Sequence, residues 1–112
     1  MTPADELRAA ATRLRQDAEA AHRASPAPWT VTDERVVRCA DGMIVADRSS
    51  TDHPAERADL PYIATMDPTA GLALADWLNF EAALIVRVPG AELRGRTEHA
   101  LAIARAINGS TA

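Results

Sequence analysis

Lysine is missing from this chain altogether, and all twelve of its basic residues are arginine. That bias fits a GC-rich genome and carries no functional meaning. Sixteen acidic residues leave a net charge of -4, and the arginines form no basic stripe. A nucleic-acid partner is therefore not expected. One cysteine, Cys39, excludes an internal disulfide and a cysteine-based metal knuckle. It suits a reducing compartment, and the expected location is cytoplasmic. Aromatics are scarce: two tryptophans, one tyrosine and one phenylalanine. Long apolar runs are absent too. The longest, "ALIVRV", is interrupted by Arg87, so a membrane partner is not expected. "MTPADELRAA" does not read as a secretory leader.

The length suits one domain, 1–112. Its hydrophobic share of 47% is largely alanine, which buries little area per residue. A core of that kind calls for close helix packing or a partner subunit. The expected class is α+β: a helix over 3–24, a three-stranded antiparallel meander over 28–48, and a helical region over 55–108.

The first helix has a clear start. Thr2 precedes Pro3, with Asp5 placed to reach back as in a capping box. Leu7, Ala10, Ala11, Leu14, Ala18 and Ala21 recur at helical period on one face. Pro26 and Pro28 forbid continuation. Trp29 then opens an alternating segment, and its expected role is to seal the sheet against the alanine-lined helix. "RVVRC" and "MIVAD" read as two further strands, joined at Asp41-Gly42 by a two-residue hairpin signal. "RSSTDHPAERADLP" is a polar connector, and "PYIATM" is a short lead-in helix. Asp67-Pro68 repeats the start signal of the first helix, and Pro89-Gly90 ends the helix it opens. The last helix lies in "AELRGRTEHALAIARAI", with Leu93, Thr97, Ala100, Leu101, Ala104 and Ile107 on one face and Asn108-Gly109 as its cap.

The helix from Pro68 carries two apolar stripes. Gly71, Leu74, Ala75, Leu78, Ala82 and Ile85 make one; Ala73, Trp77, Phe80, Leu84 and Val88 make the other. Together they cover about two thirds of the circumference, more than a surface helix normally buries. The rest of so short a chain is not expected to cover both. Trp77, Phe80, Leu84 and Val88 are therefore the expected interface of a homodimer. Glu81 sits between the stripes. Its carboxylate either reaches solvent or pairs with an arginine such as Arg94 or Arg105; the functional alternative is a buried acid, with no nucleophile or base evident beside it.

Catalytic chemistry finds little support. "DHPAERAD" gathers Asp52, His53, Glu56 and Asp59, but Pro54 disturbs the spacing and no second histidine or cysteine cluster completes a metal site. "EHALAIARAI" lacks the second histidine of a zinc-protease helix. Ser49 and Ser50 lie outside any Gly-x-Ser-x-Gly elbow, and no glycine-rich phosphate loop occurs. Cys39, in an expected strand, reads as a small buried hydrophobe. No metal, cofactor or enzymatic activity is expected.

"LRAAATRLRQDAEAAHRASPAPWTV", "YIATMDPTAGLALADWL" and "HALAIARAI" resemble a group of small uncharacterised proteins of Streptomyces-like actinobacteria and their phages. The shared features are a Pro-x-Pro-Trp element, here Pro26 to Trp29, and an Ala-Asp-Trp-Leu tract, here Ala75 to Leu78. A looser similarity reaches early-region accessory proteins of lambdoid phages, through the Pro-Trp element and the segment from Ile63 to Pro68. This resemblance implies an accessory role in a mobile element and no reaction. The leading expectation is a non-enzymatic interaction module, a homodimer that also binds an unidentified host or phage protein. The alternative is a small-ligand binder, for example of a nucleotide, stacking on Trp29 and Tyr62.

Overall fold

A computed structural model describes residues 1–88 and 95–109. In chain order it contains α1 (Pro3–Ala24), β1 (Thr30–Thr32), β2 (Val36–Arg38), β3 (Ile44–Asp47), a 3-10 turn (Pro54–Arg57), α2 (Asp59–Thr65), α3 (Pro68–Arg87) and α4 (Arg96–Asn108). This is the α+β order expected from the sequence. The chain divides into two compact units, one of Met1–Asp17 with Leu72–Ala112, the other of Ala18–Gly71.

The first unit is helical. At the start of α1, the Asp5 backbone N–H donates to Thr2 Oγ1 and the Thr2 N–H donates to Asp5 Oδ2, both at 3.1 Å. These are the reciprocal bonds of a capping box, which satisfy donors that a helix start would otherwise leave open. The core joins three helices: Ala4, Leu7, Ala10 and Ala11 from α1, Leu78 and Ala82 from α3, and Ala100, Leu101 and Ala104 from α4. Alanine fills six of these nine positions. So small a side chain lets helix backbones approach closely, and the expected alanine stripe of α1 is the contact surface that uses it. Arg105 on α4 grips Glu6 through two hydrogen bonds of 3.1 and 3.2 Å, while the Asn108 amide donates to the Glu6 carbonyl.

The second unit holds the sheet, ordered β1-β2-β3 and antiparallel throughout. Helix α2 packs on β1 and β2, and Leu60 of α2 and Val37 of β2 are fully buried. Arg38 pairs with Ile44 while Val37 pairs with Ala46, so β3 bulges at Val45. The Asp41-Gly42 turn also differs from the two-residue form. Cys39 N–H donates to the Met43 carbonyl and Gly42 N–H to the Cys39 carbonyl, with only Gly42 at positive φ (+84°). That is a three-residue loop closed by a left-handed glycine.

Trp29 precedes β1 and is half-buried, short of the sealed core position expected for it. Its indole N–H donates to the Ser25 carbonyl at 2.7 Å, and its backbone N–H donates to Asp67 Oδ2 at 3.3 Å. The other Asp67 oxygen accepts from the Ala70 N–H, capping α3 as the Asp67-Pro68 pair predicts. The ring is thus anchored by polar groups at the end of α1, which holds it nearer the surface than a purely apolar site would.

Gly95, with φ +83°, immediately precedes α4, which starts at Arg96. Pro89, Gly90, Leu93 and Arg94 lie outside the described residues.

Candidate interaction surface on helix α3

One face of α3 is spent on the core. Gly71, Ala75, Leu78 and Ala82 are buried, with Leu74 and Ile85 half-buried, as the first stripe requires. The second stripe remains largely in solvent. Phe80 is 58% exposed and Val88 46%, Ala73 is exposed, and Trp77 and Leu84 are half-buried. At 100° per residue these five positions fall within an arc of about 80°. The four expected interface residues are therefore brought together by helical spacing alone. Trp77 differs from the other three in also leaning on the core cluster. At about 1.5–3 kcal/mol for a large apolar side chain, leaving Phe80 and its neighbours in water forgoes appreciable stabilisation.

Glu81 borders this arc and is 3% exposed. Its partner is Arg96, whose Nε lies 2.8 Å from both carboxylate oxygens. Of the two arginines named from the sequence, Arg105 is committed to Glu6, and Arg94 lies outside the described residues. The Arg96 guanidinium also sits 5.9 Å from the Phe80 ring centroid, within cation–π range. The hydrogen bond from Arg96 and the charge of Glu81 push the Arg96 pKa above its ordinary value, against the opposing effect of desolvation. Sequence reasoning missed Arg96. The available signal was its place just after Gly95, at the start of α4, where a long side chain can reach back to α3.

Asp76 and Arg87 lie on the other border of the arc, both exposed. Asp76 accepts a hydrogen bond from Arg15 of α1 and keeps a side chain 70% exposed.

The expectation that nothing here has the length and apolarity to cross a membrane needs correction. Helix α3 has both, at 20 residues and about 30 Å. Counting uninterrupted runs hid this, because Asp76, Asn79 and Glu81 break the run without making the helix polar on average. In the same helix Leu78 and Ala82 are buried in the three-helix core, and Glu81 pairs with Arg96.

The alternative stacking residues lie elsewhere. Trp29 has committed its indole N–H to Ser25, and Tyr62 is 70% exposed on α2. Around His53 the acidic groups turn to separate partners: Asp52 to Arg35, Glu56 to the Thr51 hydroxyl, Asp59 to Arg48. Among the described residues no three metal-capable side chains come together. Cys39 is buried, and His99 lies on the exposed side of α4. Comparison of the chain with protein-family models, curated proteins and solved structures finds no match in any of the three.

Proposed function

We propose that this chain is a non-enzymatic protein-interaction module that works through the outer face of α3, with a second copy of itself as first partner. An accessory role in a mobile element, acting on a further protein, belongs to the same proposal. The observation that carries the reading is the exposure of Phe80 and Val88 beside half-buried Trp77 and Leu84 on one arc of one helix. Interface centres are enriched in aromatic side chains, and half of this chain's four aromatics stand on that arc. A two-fold contact lets the patch cover itself.

The wild type is expected to sediment as a dimer at micromolar concentration. Leu84→Glu shifts it to monomer, because the new carboxylate would be buried without a partner. Phe80→Glu, at a more exposed position, does the same while leaving the circular dichroism of the monomer unchanged. A wild type that stays monomeric throughout that range, or a dimer indifferent to both substitutions, overturns the reading.

A further inference from the structure

The borders of the α3 arc are charged in a self-complementary way. Asp76 and Arg87 lie on the same flank, within about 20° of one another at 100° per residue, and are separated along the axis by about 16 Å. Both are exposed. A two-fold axis perpendicular to two facing antiparallel helices keeps each flank on its own side and reverses position along the helix. It would therefore set Asp76 of each copy opposite Arg87 of the other. The axis then passes between Glu81 and Ala82, and residues facing across it have numbers that sum to 163. Along the axis, Phe80 then falls within about 2 Å of Leu84 of the second copy and Trp77 falls midway between its Leu84 and Val88, so the two apolar arcs interdigitate. On the other flank, Arg96 approaches its own copy near the axis, but Glu81 already neutralises it. A parallel pairing, whose two-fold axis runs along the helices, sends each flank to the opposite side, so Asp76 and Arg87 of one copy lie across the seam from those of the other and no such pairs form.

Resting on the α3 reading above, we infer that the partner is a second copy bound antiparallel, its register fixed by reciprocal Asp76–Arg87 pairs. The Arg15 contact leaves most of the Asp76 side chain exposed, so the carboxylate can accept from both guanidiniums. These pairs are solvent-exposed and individually weak. They select the orientation because only the antiparallel one forms them, while the apolar arc supplies the affinity.

Sedimentation equilibrium at low salt tests this. Arg87→Asp turns two attractive pairs into two repulsive ones and raises the dimer dissociation constant about tenfold. Asp76→Arg does likewise. Mixing the two variants restores association as a heterodimer, and the double exchange Asp76→Arg with Arg87→Asp restores the homodimer. A measurement independent of Asp76 uses introduced thiols. The antiparallel register brings the two Ala83 positions within about 5 Å along the axis and holds the two Ala73 positions about 25 Å apart. Ala83→Cys, on the flank beside Asp76, should cross-link through a bifunctional thiol reagent that spans about 10 Å and Ala73→Cys should not, and buried native Cys39 adds no background. Cross-linking through Ala73→Cys, or charge exchanges without effect on a dimer that Leu84→Glu still dissociates, overturns the antiparallel register and leaves the α3 surface standing. A monomeric wild type overturns both.

Discussion

The hydroxyl of Thr97 is buried and finds no hydrogen-bond partner among the described residues. An isolated buried hydroxyl keeps its desolvation cost without the compensating bond. Thr97→Val, which keeps the shape, should raise stability by about 0.5–1.5 kcal/mol in chemical denaturation. Three aspartates act in the other direction, each favouring the charged form. Hydrogen bonds from Thr2 hold Asp5 below the usual carboxylate range, those from Ser49 lower Asp47, and the Arg48 guanidinium lowers Asp59. A carboxyl depressed in the folded chain leaves the unfolded chain the better proton acceptor. Its contribution is thus complete above the ordinary carboxylate range and is lost as pH falls through the folded value. The melting temperature should hold steady near neutrality and drop in acid. Asp59→Asn should flatten part of that drop.

Among the elements, the β1–β2 turn carries the most backbone strain. Asp33 and Glu34 both lie at positive φ, 55° and 60°, in a turn closed by the Arg35 N–H on the Thr32 carbonyl at 3.3 Å. Two successive left-handed residues suit the right-handed twist of a hairpin, but the second position favours glycine. Glu34→Gly should raise the melting temperature, through a net gain of about 0.5–1 kcal/mol after the extra backbone entropy of glycine. The sequence marks a turn at "TDER", as the structure has it, but not its left-handed geometry, because the stretch lacks the glycine that signals it. Its signals were strong where the physics is local. Thr2 with Asp5, and Asp67 with Pro68, act over three residues or fewer, and the helix faces follow from period alone. Partners at long separation were not legible. Glu81 with Arg96, and Glu6 with Arg105, depend on how α1, α3 and α4 pack. Many arginines could have reached those carboxylates. The interface candidates were readable as a stripe, yet only packing could tell that Trp77 leans inward while Phe80 stands out.

For the molecule as a whole, the placement of its two tryptophans has a spectroscopic consequence. Trp77 belongs to the helical unit and Trp29 to the unit that contains the sheet. Each unit thus holds one indole, and excitation at the red edge of the tryptophan band, which spares Tyr62, reads it alone. Trp29→Phe leaves emission that reports on the helical unit, and Trp77→Phe leaves emission that reports on the other. Helices α1 and α3 each contribute residues to both units, so losing either helix dismantles part of each. Both emission changes should therefore fall over the same range of urea, with one midpoint after correction for each variant's own stability. Two separate midpoints would show that the units melt independently. The Trp29→Phe chain has a second use, because its remaining indole stands on the α3 arc. Its emission should shift to the blue as protein concentration rises through the dimerisation range, so association can be followed by light alone.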